Sequence, residues 1–124
     1  MLVDDNHNDN FFHEREIKKI DIATSVITKS SGIDALEYLQ SKKEPHTDLI
    51  FLDINMPGMN GWEFLEKYEQ LDKEMQSRAI IIMLTTSGNP DDIARATTFE
   101  FVSDYITKPL TKEIMQQIIT KYFK

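Results

Sequence analysis

Four short patches of this chain carry residue types that do chemistry as a group. They are Asp4-Asp5, Asp53 in the string Phe51-Leu52-Asp53-Ile54-Asn55-Met56-Pro57-Gly58, Thr85-Thr86, and Lys108-Pro109. Each stands at the carboxyl end of a short apolar run. Gathered into one small volume, these carboxylates, a hydroxyl and an ammonium suit a hard divalent cation and a phosphoryl group. A carboxylate such as Asp53 is a nucleophile towards phosphorus and forms an acyl phosphate. Crowded carboxylates repel one another, and the physical remedies are a proton or a bound cation. All-oxygen ligands completed by water favour magnesium, with manganese as a substitute. The expected ligands are Asp5 and Asp53 directly, Asp4 through water and Asn55 through its backbone carbonyl. Lys108 would reach a phosphoryl oxygen as a point charge, and Thr85 would donate its hydroxyl to another.

Singly, each patch has a plain reading. Adjacent aspartates are mostly solvated, an aspartate before a Met-Pro-Gly turn breaks a strand, and a lysine before proline is mostly exposed. Their placement at the ends of alternate strands makes the joint reading the stronger one.

The elements that must position them follow from apolar periodicity and turn chemistry. Met1-Leu2-Val3 reads as the end of a first strand, and residues 8–20 as a helix with a weak apolar pattern, His13, Ile17 and Ile20 at helical spacing. Residues 24–28, with Val26 and Ile27, read as a second strand. Ser31 caps a helix over residues 31–41 with Ile33, Leu36 and Leu39 inward. Leu49-Ile50-Phe51-Leu52 and Ile80-Ile81-Ile82-Met83-Leu84 are continuous apolar runs without alternation, as in strands covered on both faces.

Asn60 opens a third helix with Glu63 as its capping-box partner, followed by Phe64, Leu65, Tyr68 and Leu71. Asn89-Pro90-Asp91-Asp92 starts a fourth that ends near Phe99. Residues 102–106 read as a fifth strand. Thr111 caps a last helix bearing Ile114, Met115, Ile118, Ile119 and Tyr122. Strand and helix alternate five times, which predicts an α/β fold: a doubly wound, five-stranded parallel sheet with helices on both faces. Its ligand edge is the carboxyl end of the strands.

The 124 residues make one domain, 1–124, with no room for a second. A net charge of −7 disfavours nucleic acid, which needs clustered Lys and Arg. No apolar run is long enough for a membrane span or shaped as a signal peptide. There is no cysteine, so thiol chemistry and disulfides are excluded. A soluble chain of the cytoplasm is expected.

The motifs resemble the receiver domain of two-component response regulators. The residues that carry the resemblance are Val3-Asp4-Asp5, Leu52 through Gly61, Met83-Leu84-Thr85 and Asp104 through Leu110, and the likeness runs from Leu2 to the last helix. It implies strand order 2-1-3-4-5. It implies that Asp53 is the phosphoacceptor, served by a histidine kinase or a histidine phosphotransfer protein. Asp4 and Asp5 are then the magnesium pair, and Lys108 the phosphate-binding lysine, followed by a cis bond to Pro109. Thr85 and Tyr105 become the switch pair. The fourth helix, fifth strand and fifth helix form the face that docks a downstream target protein.

The implied function is a stand-alone receiver without an output domain, catalysing only its own phosphorylation and dephosphorylation. Asn55 and Ser87 flank the position where acyl-phosphate hydrolysis is tuned. The chain departs from the family in three places. Only three residues precede Asp4, Phe101 stands where glycine is frequent, and the first helix has a weak apolar stripe.

Three other classes fit the residues less well. A flavodoxin-like binder needs a Ser/Thr/Gly-rich anion turn after the first strand, where this chain has Asp4-Asp5. An aspartate-nucleophile phosphatase needs an acid two residues after Asp53, where Asn55 stands. A degenerate receiver would not keep Asp4, Asp5, Thr85 and Lys108. His7, His13 and His46 lack metal-ligand spacing and read as surface or edge residues. Trp62 reads as packing across the loop after Asp53.

Overall fold

The continuous apolar runs become central strands because both of their faces are covered. The computed structural model describes residues 1–20, 26–41, 47–56, 58–71, 80–86 and 89–123. Its sheet has five parallel strands: β1 (Leu2–Val3), β2 (Thr28–Lys29), β3 (Leu49–Leu52), β4 (Ile80–Thr85) and β5 (Val102–Thr107), in the order β2-β1-β3-β4-β5. Among the described residues five helices alternate with them: α1 (His7–Lys18), α2 (Gly32–Gln40), α3 (Gly61–Glu69), α4 (Pro90–Ala96) and α5 (Lys112–Tyr122).

Side chains of a strand alternate between faces, and the two cores divide accordingly. Ile50, Leu52, Ile81 and Met83 pack with Ala35, Leu36 and Leu39 of α2 and Phe64, Leu65 and Tyr68 of α3. Phe51, Ile82 and Leu84 pack on the other face with Ile17 of α1 and Met115 and Ile118 of α5.

The first strand is short yet fully integrated. Leu2 is in register with Thr28 on one side and Phe51 on the other. The ladder continues past it, with Asp4 N–H donating to Lys29 O and Asp53 N–H to Val3 O. This pairing, extended by the Phe51 N–H donating to Met1 O, sets Asp4 beside Asp53. The expected caps are all present: Ser31, Asn60, Asn89 and Thr111 each accept a backbone N–H, and Asn60 and Glu63 form a reciprocal capping box.

Several sequence expectations are corrected. The second strand is Thr28–Lys29, with Val26 and Ile27 leading into it, while Thr24 and Ser25 lie outside the described residues. Ile33 is 51% exposed: Ala35, Leu36 and Leu39 take the inward face of α2, one residue round from the stripe that Ile33 began. The fourth helix stops at Ala96, capped by Thr97, and Phe99 follows it into the core.

His13 is neither surface nor edge. It is 2% exposed, because α1 turns the stripe Asn10, His13, Glu16 and Ile17 inward. That stripe is largely polar, which is why the apolar pattern of α1 is weak. His7 is exposed, and His46 is outside the described residues. Phe101 fills the place of the missing glycine by packing its ring on Tyr68 (5.1 Å) and Phe99 (5.8 Å). Trp62 does reach the cluster with Ile54 and Met56, but its ring stacks on Phe99 at 6.3 Å and lies under the Arg95 guanidinium at 4.6 Å.

Candidate functional site

The site forms where β1, β3, β4 and β5 end. Asp4 and Asp5 follow β1 and Asp53 follows β3. Thr85 closes β4, and Lys108 follows β5, its N–H donating to Thr85 O at 2.7 Å. The Lys108–Pro109 peptide bond is cis. Parallel pairing in register brings these strand ends to one edge beside the point where strand order reverses, between β1 and β3.

Asp4 and Asp53 are buried, at 4% and 7% exposure, while Asp5 is exposed. One oxygen from each of the three lies within 4.8 Å of the others, a donor set that fits a hard divalent cation. The charge crowding is visible in Asp53. Burial, then the neighbouring charges of Asp4 and Asp5, raise its pKa to about 6, against the opposing pull of Lys108 and the Ile54 N–H. A cation would relieve that crowding.

Lys108 is the counter-charge. Its Nζ donates to Asp4 Oδ2 at 2.6 Å and to Asp9 Oδ2 at 2.8 Å, and stands 3.7 Å from Asp53 Oδ1. Burial works against the ammonium, but the hydrogen bonds to Asp4 and Asp9 and the charges of Asp53 and Asp4 outweigh it and hold its pKa above the ordinary lysine value.

Thr85 is buried at 1% exposure and hydrogen-bonds with the Tyr105 phenol. The phenol's pKa is raised, first by burial and then by Asp92, against that hydrogen bond. Asn55 is exposed on the loop after Asp53 and Thr86 is exposed after β4. Pro57 and Ser87 lie outside the described residues. The structure thus gathers Asp4, Asp5, Asp53 and Lys108, and pairs Thr85 with Tyr105.

α1 supplies a second layer that the sequence motifs do not mark. Asn6 caps the helix, and its N–H donates to Asp4 Oδ1 at 2.9 Å. Asn10 donates its side-chain amide to Asp4 O at 2.8 Å. Asp9, the third residue of α1, points back onto Lys108. His13 lies within reach of the same charges: burial and Lys108 lower its pKa, against Asp9, Asp4 and Glu16. The signal for Asp9 was present in Asn6-His7-Asn8-Asp9, a cap followed three residues on by an acid.

The chain matches the model of the response regulator receiver domain over residues 1–120. It is 31% identical over 112 residues to the response regulator Rcp1 of Synechocystis sp., a match covering 87% of this chain and 74% of that protein. Its fold superposes on a two component response regulator from Cytophaga hutchinsonii with a TM-score of 0.88, at 30% identity, covering 97% and 92% of the two chains. On the Mn(2+)-bound form of Rcp1 the TM-score is 0.78, at 29% identity over 98% and 91%. The sequence also aligns with a hybrid signal transduction histidine kinase L of Dictyostelium discoideum (28% identity, all of this chain) and with the sensor histidine kinase GacS of Pseudomonas protegens (29%, 82% of this chain). The chain spans 7% and 11% of the length of these two relatives.

Proposed function

Because this chain belongs to the response regulator receiver domain family of two-component systems, we propose that Asp53 is its phosphoacceptor and that the donor is a phosphohistidine on a histidine kinase or histidine phosphotransfer protein. An Asp53 carboxylate oxygen attacks phosphorus, the P–N bond breaks, and the histidine nitrogen leaves with the electron pair and takes up a proton. An acyl phosphate remains. Lys108 meets one phosphoryl oxygen with its charge, and Thr85 donates its hydroxyl to another.

Magnesium, or manganese as in the Rcp1 relative, is the cation proposed for Asp5 and Asp53, for Asp4 through water and for the Asn55 carbonyl. When bound it supplies neutralisation of charge on the phosphoryl oxygens. The carrying observation is the convergence of Asp4, Asp5, Asp53 and Lys108, with Lys108 3.7 Å from Asp53.

Signalling follows from the Thr85–Tyr105 contact. A hydroxyl drawn to the phosphoryl group leaves the phenol, and the α4–β5–α5 face that bears Tyr105 changes for a downstream protein. Residues 1–124 then act as a receiver in the cytoplasm, without nucleic acid or membrane, the reaction being on the chain's own Asp53. No helix among the described residues is long and apolar enough to cross a membrane. The test is incubation with acetyl phosphate and magnesium followed by intact mass. One phosphoryl adduct is expected on the wild type and none on Asp53→Ala; an unmodified wild type overturns the assignment.

A further inference from the structure

Asp9 has no role in the chemistry assigned so far, yet it holds one of the two hydrogen bonds that Lys108 makes to carboxylates. An ammonium has three donors. Two are committed, to Asp4 Oδ2 at 2.6 Å and Asp9 Oδ2 at 2.8 Å. Asp53 Oδ1, at 3.7 Å, is beyond hydrogen-bond reach.

The two bound carboxylates are not held alike. The Asp4 side chain is 6% exposed, and its other oxygen is engaged by the Asn6 N–H. The Asp9 side chain is 34% exposed. Water replaces the ammonium at Asp9 far more cheaply than at Asp4, where an unpaired carboxylate would stay buried.

We propose that Asp9 is a positioning residue acting through Lys108: it holds the ammonium back from Asp53 in the unphosphorylated protein and releases it when a phosphoryl group arrives. Release of the Lys108–Asp9 pair then sets part of the rate at which Asp53 is phosphorylated. The proposal rests on the reading of Asp53 as phosphoacceptor. Its rival is a purely structural Asp9. The backbone N–H of Asp9 is bound by the Asn6 cap, and an acid in the first turn stabilises a helix through its dipole. That role predicts a change in stability and no coupling to Lys108.

The test times phosphoryl incorporation from acetyl phosphate and magnesium by intact mass in wild type, Asp9→Asn, Lys108→Ala and the double variant. Asp9→Asn is expected to react about three- to fivefold faster than wild type, the scale of a partly exposed ion pair. The double variant should be no faster than Lys108→Ala. An Asp9→Asn rate at or below wild type overturns the proposal. The same gain in the Lys108→Ala background also overturns it, since Asp9 would then be a general repulsive charge.

If Lys108→Ala reacts too slowly to time, the ε-methylene resonance of Lys108 in 13C-lysine protein decides. In unphosphorylated Asp9→Asn it should move towards its position in the phosphorylated wild type, and a shift in another direction or none counts as refutation. A wild type that takes no phosphoryl group defeats the assignment of Asp53 itself, whereas a phosphorylated wild type with an indifferent Asp9→Asn defeats the role of Asp9 alone.

Discussion

Lys108 Nζ lies 2.6 Å from Asp4 Oδ2, a residue 104 positions away in the chain, and both side chains are nearly excluded from water, at 10% and 6% exposure. This pair is the internal charge balance of the strand edge. Asp5, Asp9 and Asp53 add further negative charge to the same small volume, and Lys108 is the cation that reaches into it.

Removing Lys108 therefore strands a buried carboxylate. In chelator, Lys108→Ala should unfold in urea with a stability lower than wild type by about 3 kcal/mol, the usual cost of breaking a buried pair from one side. Magnesium should then stabilise the variant more than it stabilises the wild type, because the added cation takes over a balance the variant lacks. A loss well under ~1 kcal/mol, the range of an exposed pair, would show that water already screens Asp4.

Asp53 carries a pH signature of the opposite sign from a salt-bridged carboxylate. Its folded pKa is raised to about 6 from an ordinary 3.8, so at neutral pH its ionised form costs the folded state. As pH falls from about 6 to 3.8 the folded protein takes up a proton that the unfolded chain does not, and stability rises. Without metal, Asp53→Asn should be more stable than wild type at pH 7 by an amount on the order of 2 kcal/mol. That gain should shrink through the same window and vanish near its lower end. Since a cation competes with the proton for Asp53, the rise in wild-type melting temperature on adding magnesium should also fade below about pH 6. Denaturation curves across this range, with and without magnesium, measure both effects.

Much of this edge was legible from local pattern. Leu49 through Leu52 and Ile80 through Leu84 are apolar at every position because the sheet is covered on both faces, and that uninterrupted run locates Asp53 and Thr85 at strand ends. Asp9 and His13 were not legible as parts of the site. The inward stripe of α1 is Asn10, His13, Glu16 and Ile17, three polar residues and one apolar, and apolar periodicity is blind to the polar part of such a stripe. Ile33 misled for the complementary reason: an apolar residue early in α2 fits a stripe by spacing, but its direction is set by how Ala35 and Leu36 seat against the sheet. The turn into β5 was opaque because an aromatic cluster with Phe99 and Tyr68, distant in sequence, decides what Phe101 does.

Trp62 is placed to report on α4. It is 6% exposed at the start of α3, with Arg95 of α4 over its ring at 4.6 Å and Phe99, just beyond α4, stacked at 6.3 Å. Phosphorylation that rearranges Thr85 and Tyr105 should shift α4 and change Trp62 emission. Arg95→Ala should cost about 1 kcal/mol, as a surface cation–π contact does, and should reduce the emission change on adding acetyl phosphate and magnesium. Fluorescence titration of both proteins measures this. An unchanged response in Arg95→Ala would mean that Arg95 does not carry the change to Trp62.

Gly61 ties the loop after Asp53 to α3, and its replacement tests that tie by the sign of the effect. Its N–H donates to Ile54 O at 2.8 Å, and a Cβ at this position would lie 2.7 Å from Asp53 O and 2.8 Å from Ile54 Cα. Both atoms are backbone, so the neighbour cannot swing aside. Glycine to alanine in a helix ordinarily stabilises by up to ~1 kcal/mol, whereas here overpacking should destabilise by about 1–3 kcal/mol. Gly32, the first residue of α2, is the control. Its Cβ would meet the flexible Met59 side chain at 3.0 Å, which can yield, so Gly32→Ala should stay within about 0.5 kcal/mol of wild type. Because one of the displaced atoms is the carbonyl oxygen of Asp53 and the other the Cα of the next residue, Gly61→Ala should also slow phosphoryl transfer from acetyl phosphate by at least about tenfold, through loss of attack geometry. Gly32→Ala should leave that rate unchanged. Chemical denaturation and intact-mass time courses on the two variants check both expectations, and a stabilised, fully reactive Gly61→Ala would show that the loop can give way without moving Asp53.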